Sequence, residues 1–204
     1  MKRSLVLLTL ALVASACSTR ESPEQRCSEL DAGTPVDPLL LAFLSRARAA
    51  HHLADDHETA GDLAAAVAPL SALVTGPLPH PNRGQLAPEV REVLADTRAR
   101  LADLRSRSGA FEQALADVQA GLEQARERNY FHGHLLETEG LVEERHAKAL
   151  ETSDPGAATA LRKRAIGLLE QAMAVQSGVL EAAPSEPAPA PEPGPAAPPA
   201  ASSK

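Results

Sequence analysis

The amino-acid sequence predicts an all-α domain over residues 37–181, with about six helices arranged as three antiparallel hairpins. Apolar residues recur through this stretch at spacings of three and four, which is the period of an amphipathic helix. Glycines, prolines and capping residues divide the stretch into six segments. The composition agrees with this fold class, because alanine and leucine are abundant while the chain has no Trp, one Tyr and three Phe. Such residues suit closely packed helices better than β-sheets, which favour β-branched and aromatic side chains.

The first two helices are bounded by a capping pair and by glycines. Asp37 followed by Pro38 is a favourable helix start, because a carboxylate can cap the first turn and proline suits the first helical position. The apolar face of the first helix consists of Leu40, Leu44, Ala47, Ala50, Leu53 and Ala54. Gly61 ends this helix, and Gly76 ends the next. The apolar residues of the second helix are Leu63, Val67, Leu70, Leu73 and Val74. Pro69 lies within the second helix and is expected to kink it.

The third and fourth helices follow a proline-rich, unstructured connection over residues 76–88. Pro88 opens the third helix and Gly109 ends it. One narrow stripe of the third helix consists of Val90, Leu94, Thr97, Leu101, Leu104 and Ser108. The face of the fourth helix consists of Phe111, Ala114, Leu115, Val118, Leu122 and Ala125. Each set repeats at helical spacing and predicts one packed face.

The fifth and sixth helices complete the predicted domain. The fifth runs from Asn129 to about Leu150, and the sixth from Asp154 to about Leu180. The apolar residues of the sixth helix are Leu161, Ala165, Leu168, Leu169, Ala172 and Val175. The predicted contacts of this third pair are Leu136 and Gly140 on the first helix and Ala165 and Leu169 on the second.

The turns of the first two hairpins share a sequence pattern. Gly61-Asp62-Leu63-Ala64-Ala65-Ala66 and Gly109-Ala110-Phe111-Glu112-Gln113-Ala114 each place an apolar residue two positions after glycine and an alanine five positions after it. Upstream, Leu53-Ala54 and Leu101-Ala102 lie at the same offset from each glycine. The pattern resembles tetratricopeptide repeats, in which glycine permits the tight turn and alanines let two helices approach closely.

This resemblance implies a short solenoid, and it covers residues 38–126 better than residues 129–181. The glycines at positions 61 and 109 lie 48 residues apart, whereas the family has a period of about 34 residues. The proline-rich connection roughly accounts for the excess. A generic bundle of alanine- and leucine-rich helices with coincidental glycines is the alternative interpretation.

The first 16 residues have the parts of a secretory signal peptide: basic residues, an apolar run over residues 5–13, and small residues before Cys17. The apolar run is too short to span a bilayer, which takes about 20 residues. Residues 13–17 resemble the lipobox of bacterial lipoproteins, although Ala14 stands where leucine is commonest. The resemblance implies cleavage before Cys17 and attachment of acyl chains (palmitate) to it, which would hold the protein on a membrane. Ordinary secretion with an incidental cysteine is the alternative.

Residues 17–36 are predicted to form a flexible, disordered tether. Ser18 follows the cysteine, and in enteric lipoproteins a residue other than aspartate there implies sorting to the outer membrane. The expected location is therefore the cell envelope, on the outer membrane. Cys27 has no partner in the chain if Cys17 is acylated. We interpret it as an unpaired thiol in the tether, and a disulfide to a second chain is the alternative.

Residues 182–204 consist almost entirely of Pro, Ala, Ser and Glu. Proline has no amide hydrogen and fixes φ, so neither helix nor sheet is expected there. The tract is predicted to be an extended, disordered tail near polyproline II. A spacer is the favoured interpretation, and binding of the tail to a groove in a partner is the alternative.

The charge of the chain argues against nucleic-acid binding. The formal net charge is −7, and removal of Lys2 and Arg3 with the signal peptide would make it −9. Phosphate contacts need clustered basic residues, and base stacking needs aromatic rings. A basic cluster does occur at Arg98, Arg100, Arg105 and Arg107. Asp96 and Asp103 lie among these arginines, however, which predicts a solvated helix face with ion pairs.

Two groups of histidines are the strongest candidates for chemistry. The first is His51, His52 and His57 with Asp55, Asp56 and Glu58, and the second is His132, His134 and His146 with Glu137 and Glu139. Histidines and carboxylates on neighbouring helices do bind metals, but no spacing here matches a known site. A solvated face is therefore favoured, and we expect no metal or other cofactor. Nucleophile motifs, phosphate-binding loops and dinucleotide fingerprints are absent from the sequence, so we do not expect an enzyme.

The repeat resemblance also implies where a partner would bind. Tetratricopeptide arrays hold partner proteins along the concave surface formed by the first helix of each hairpin. The positions implied here are Arg48, His51, Asp55, Asp103 and Arg107. This mixed, partly acidic set favours a basic or extended partner segment, and hence a lipid-anchored scaffold or assembly adaptor of the envelope. The alternatives are a periplasmic metal-binding or stress-response lipoprotein that uses the histidines, and a structural spacer whose tail matters more than its helices.

Overall fold

The computed structural model describes residues 37–79 and 85–182. Regular structure within these residues is helical throughout, with no β-strand. The helices are α1 (Pro38–Thr59), α2 (Leu63–Thr75), α3 (Pro88–Arg107), α4 (Phe111–Gln124), α5 (Tyr130–Leu150) and α6 (Pro155–Ala182). The all-α class and the six helices are therefore confirmed. The predicted signal peptide, Cys17, Cys27, the tether and the tail beyond Ala182 lie outside the described residues. None of the described helices has the length and apolar character needed to cross a membrane.

Two glycines end α1 and α3 with the same backbone geometry. Gly61 has a φ of +79° and Gly109 a φ of +82°, in the left-handed region that glycine adopts at no steric cost. At the end of α1, the Asp62 amide donates to the His57 carbonyl and the Gly61 amide donates to the Glu58 carbonyl, both at 2.9 Å. Equivalent bonds recur at the end of α3. This is the Schellman pattern, and it confirms the turn-forming role predicted for both glycines.

Polar side chains and prolines set the starts of the helices. The capping residues are Asp62 of α2, Asn129 of α5 and Asp154 of α6. The Oδ1 atom of each accepts a hydrogen bond from the backbone amide three residues later in the chain, at 2.9–3.1 Å. Each bond satisfies an amide that has no partner within the helix. Proline is the first residue of α1, α3 and α6, where its missing amide hydrogen costs nothing.

Helix α3 is the centre of the packing. Each helix packs against the next one along the chain, and α3 also contacts α1 and α5. With four neighbours, α3 is buried on most of its circumference, so the prediction of one narrow stripe is wrong. The additional buried residues of α3 are Ala95, Ala99, Ala102 and Ser106. Ser108, which the prediction includes, is exposed because it follows the last residue of the helix.

The apolar face predicted for α1 is confirmed except at Leu53. The buried residues of α1 are Ala47, Ala50, Ala54 and also Phe43, which the prediction omits. Leu53 is 52% exposed, whereas Leu101 of α3, which lies at the same offset from its helix-ending glycine, is fully buried. The difference has a positional cause. Helix α3 is covered by α2 and α1, but no described helix precedes α1 to cover the same face.

Helices α5 and α6 pack closely because glycines of α5 leave room for α6. A Cβ atom at Gly140 would lie 3.0 Å from Leu169 Cγ and 3.2 Å from the Ala165 carbonyl oxygen. Leu136 joins a buried cluster with residues of α6. These contacts confirm the four residues predicted to join the third pair of helices.

Candidate binding groove

Helices α1, α3 and α5 line a common cavity of about 360 Å³. Both α1 and α5 pack against α3, but the described structure shows no packing contact between α1 and α5. Helix α3 is therefore the floor of the cavity, and the other two helices are its walls. The lining residues are His51 and Glu58 of α1, Asp96, Ala99, Arg100 and Asp103 of α3, and His134, Glu137, Thr138 and Leu141 of α5. We call this cavity the groove.

Carboxylates dominate the charge of the groove. Four of its lining residues are acidic, against one arginine, Arg100. Arg100 Nη2 lies 2.6 Å from both Asp55 Oδ1 and Glu58 Oε2, so two carboxylates already balance its charge. When the two lining histidines are neutral, the groove therefore presents an excess of negative charge.

A chain of ion pairs ties the three helices together near the C-terminal ends of α1 and α3. Arg107 of α3 pairs with Glu58 of α1 and lies 3.4 Å from Asp103. Asp103 Oδ1 in turn lies 2.8 Å from Arg145 Nη2 of α5. The hydrogen bond from Arg107, with a further contribution from Arg100, holds the pKa of Glu58 below its ordinary value. Glu58 and Asp103 are thus committed to structural pairs.

Asp96 and Glu137 are the lining carboxylates that retain free hydrogen-bonding capacity. The side chain of Asp96 makes no hydrogen bond or ion pair with any residue that the structure describes. Glu137 Oε2 makes long contacts, at 3.8 Å to His134 Nδ1 and 3.4 Å to Gln176 Nε2. An ionised carboxylate forms a stronger hydrogen bond with a cationic donor than with a neutral donor. These two residues are therefore the best anchors for a cationic ligand, one on the floor and one on a wall.

His51 is held in the wall of the groove by Thr97 of α3. Thr97 Oγ1 donates its one hydrogen to the Val93 carbonyl at 2.7 Å, so it accepts from His51 Nε2 at 3.0 Å. This arrangement requires a hydrogen on His51 Nε2. Burial is the largest influence on the pKa of His51 and lowers it below 6.5, although Asp96 opposes the shift. His51 is accordingly neutral near pH 7.

We expect acid to destabilise the fold in part through His51. Its folded-state pKa lies below the unfolded value of about 6.5. Its contribution to stability is therefore complete above that pH and is lost as the pH falls toward the folded-state pKa. Between about pH 7 and 5, the free energy of unfolding of His51→Gln should fall less steeply than that of the unmodified protein. The two falls should differ by less than about 1 kcal/mol, because the ring is partly solvated. Urea unfolding at a series of pH values measures this.

His52→Gln is the matched control for His51→Gln, because His52 is the next residue and is exposed. Because the side chain is exposed, this replacement should change the free energy of unfolding at pH 7 by less than about 0.5 kcal/mol. A His51→Gln profile with an unchanged slope would contradict the role assigned to this histidine.

The structure distributes the five predicted partner-binding residues over three settings. His51 and Asp103 line the groove. Asp55 and Arg107 belong to the ion pairs at its edge. Arg48 is exposed on α1 and is not a lining residue. The prediction omits the wall formed by α5, because the third pair of helices lacks the glycine pattern by which the first two were aligned.

The histidine groups do not form clusters. His132 Nδ1 lies 2.8 Å from the Ala125 carbonyl oxygen, and His146 stacks on Phe111 with ring centroids 4.4 Å apart. Only His134 of this second group lines the groove. Across residues 37–79 and 85–182, no set of three His, Cys, Asp or Glu side chains is placed to hold a metal ion.

A buried aspartate outside the groove joins the floor helix to α4. Asp117 is 1% exposed, its Oδ1 atom lies 2.6 Å from Arg98 Nη1, and its Oδ2 atom pairs with Arg105. The predicted ion pairs of these arginines are present, but the four arginines do not share one solvated face. Arg98 and Arg105 face α4, whereas Arg100 and Arg107 face α1. Seven residues separate the members of each pair, which places them on one side of the helix.

A second buried acid lies between α5 and α6. Glu143 is fully buried and pairs with Arg164 through Oε1, while its Oε2 atom has no hydrogen-bond partner in the described structure. Burial, and next the charge of Glu143, raise the pKa of Glu139, and Arg164 opposes this shift. Neither glutamate lines the groove, so their effect is on the packing of α5 against α6.

Comparison with known proteins leaves the groove to be interpreted from its own geometry. No protein-family model matches the chain, and no curated protein or solved structure matches it. The site is an open, acidic groove with one lining arginine whose charge is already paired. Such a field attracts cationic ligands.

Proposed function

We propose that this chain is a lipid-anchored, protein-binding scaffold or assembly adaptor of the bacterial cell envelope. The observation that carries the proposal is that α1, α3 and α5, one helix from each consecutive pair, line a common groove. In tetratricopeptide-like solenoids, the first helix of each hairpin forms the concave surface that binds partners. Lipid on Cys17 would attach the protein to the outer membrane, and residues 182–204 would serve as a spacer.

The packing pattern supports a stack of three hairpins, α1–α2, α3–α4 and α5–α6. The first helix of each pair contacts the first helix of the next pair, so that α1 contacts α3 and α3 contacts α5. The second helix of a pair also contacts the first helix of the next pair, so that α2 contacts α3 and α4 contacts α5. The described helices show no contact between α2 and α4 or between α4 and α6. Units that touch only their neighbours are characteristic of solenoids. The matching turns at Gly61 and Gly109 give the first two hairpins the same local geometry.

The chemistry of the groove favours an extended, basic segment of a partner protein. Asp96 and Glu137 offer carboxylates to Lys or Arg side chains from two sides. Tyr130 is not a lining residue, but it is exposed beside the groove and stacks on the lining residue His134 with ring centroids 5.9 Å apart. Aromatic faces of this kind bind cations. The net charge of −7 would steer basic partners toward the protein from a longer distance.

The test of this proposal removes both free carboxylates while keeping the shape of the side chains. Asp96→Asn combined with Glu137→Gln should weaken binding of a basic partner by up to about 30-fold, since each of the two partly exposed ion pairs contributes at most about 1 kcal/mol. Affinity purification with chemical crosslinking, from detergent-solubilised envelope and with the lipidated protein as bait, measures recovery of partners. Asp56→Asn with Glu112→Gln is the matched control, because both carboxylates are exposed and lie outside the groove.

The expected result is a discrete set of envelope partners that the unmodified and control proteins recover and the groove variant does not. Equal recovery by the groove variant would contradict binding at Asp96 and Glu137. The Cys17→Ser variant is the control without a lipid anchor. It should fail to recover those partners that bind only when the protein is attached to the membrane.

We further propose that the protein acts without catalysis and without a resident cofactor. The basis is the absence of a nucleophile motif from the sequence and the commitment of Arg100 and Asp103 to ion pairs. The alternative, a periplasmic metal-binding lipoprotein, requires stoichiometric zinc or copper binding that disappears when His51, His52 and His57 are replaced by alanine. Titration calorimetry with either metal distinguishes the two functions.

A further inference from the structure

Helix α6 exposes a regular stripe of large apolar side chains. Ile166, Met173 and Leu180 are 58%, 68% and 77% exposed. They recur every seven residues, which is almost two helical turns, so they share one side of the helix. Single exposed apolar residues are ordinary, but an apolar residue at every seventh position is one of the two interleaved repeats through which paired helices pack.

The stripe adjoins the packed face of a helix that has few neighbours. Helices α1–α5 each pack against at least two others, whereas α6 packs only against α5 among the described helices, although it is the longest at 28 residues. Leu169 and Gln176, which contact α5, follow Ile166 and Met173 by three positions. The stripe therefore lies along one side of the face of α6 that contacts α5.

We propose that two copies of this chain associate through α6, with the two helices antiparallel across a two-fold axis at Met173. Met173 then meets its counterpart, and Ile166 meets Leu180 of the second copy, so that all three apolar residues are covered in both chains. A two-fold interface uses the same patch on both partners, as this stripe requires. The proposal is independent of what the groove binds.

Charges at the two ends of α6 favour a second copy in this orientation. Lys163 and Glu181 are exposed and make no ion pair with any residue that the structure describes. Antiparallel pairing brings Lys163 of one copy to within two residues of Glu181 of the other, about 3 Å along the axis. The symmetry forms this contact twice. Parallel helices would instead oppose lysine to lysine and glutamate to glutamate, which is unfavourable.

Disulfide crosslinking tests both the pairing and its direction. The full chain is expressed in bacteria with Cys17→Ser and Cys27→Ser, and one cysteine at a time is introduced on α6. Because a disulfide requires Cα atoms within about 7 Å, Met173→Cys should form at least about tenfold more covalent dimer than the Ala174→Cys control, whose side chain points about 100° away. Differently tagged chains carrying Ile166→Cys and Leu180→Cys should crosslink to each other, and neither should crosslink to itself.

Three outcomes would overturn the proposal: as little dimer with Met173→Cys as with Ala174→Cys, self-crosslinking of Ile166→Cys, or capture of a different protein in place of a second copy. A further variant tests the apolar contact without relying on a thiol at Met173. Met173→Glu should abolish crosslinking between Ile166→Cys and Leu180→Cys while leaving the helical circular dichroism unchanged, because Met173 is exposed. Undiminished crosslinking in this variant would also refute the interface.

Discussion

Replacing Asp117 with alanine is expected to lower the free energy of unfolding by about 3 kcal/mol. Asp117 is 1% exposed and balances two arginines of α3, Arg98 and Arg105. The variant leaves both guanidinium groups facing a buried surface without a counter-charge. About a quarter of each arginine side chain is exposed, so partial solvation keeps the loss near the lower end of the range for broken buried pairs.

Urea unfolding followed by circular dichroism measures the loss, with Asp56→Ala as the control. Asp56 is an exposed aspartate that has no hydrogen-bond or ion-pair partner for its side chain in the described structure, and its replacement should change stability by less than about 0.5 kcal/mol. Asp117→Asn removes the charge but keeps an oxygen that can accept a hydrogen bond, so its loss should be intermediate. A loss for Asp117→Ala that matches the Asp56 control would contradict the assignment of a structural ion pair.

Gly140→Leu should lower the free energy of unfolding by about 3 kcal/mol. A Cβ at this position would already lie 3.0 Å from Leu169 Cγ and 3.2 Å from the Ala165 carbonyl oxygen. The leucine branch can shift, but the carbonyl belongs to the backbone of α6 and can move only with that helix. The larger side chain must therefore separate α5 from α6 or adopt an unfavourable rotamer, and both responses cost free energy.

Gly167→Leu makes the same chemical change where the structure leaves room. Gly167 lies inside α6, and no atom comes within 4 Å of a Cβ built there. Leucine has a higher helix propensity than glycine, so this control should gain up to about 1 kcal/mol. Thermal and urea unfolding of the two variants give the comparison. A gain in stability for Gly140→Leu would show that α5 and α6 are not closely packed at this point.

Local sequence signals were sufficient to predict the helices of residues 37–79 and 85–182. The side-chain caps at Asp62, Asn129 and Asp154 and the positive-φ glycines at positions 61 and 109 act over a few residues, so they can be read without knowing the fold. Burial was predicted less well because it depends on the number of neighbours. Leu53 and Leu101 both lie eight residues before a helix-ending glycine, yet only the second is covered by other helices.

The groove could be predicted only in part for the same reason. His51 and Asp103 were located by the repeat alignment, whereas the wall formed by α5 has no glycine pattern that would place it beside α3. The direction of each arginine also depends on its neighbours. Arg98 and Arg100 are two residues apart on α3, and they pair with carboxylates of different helices, α4 and α1.

The sequence by itself determined the all-helical class, the bounds of the six helices and the turns at Gly61 and Gly109, because these depend on contacts between residues that are close along the chain. Only the tertiary structure decided which carboxylates are paired and which remain free. Asp117 and Asp96 are both aspartates within helices, but one is buried and balances two arginines, whereas the other lines the groove without an ion pair. The electrostatic state of a side chain is determined by groups within a few ångströms in space, and here those groups lie on other helices.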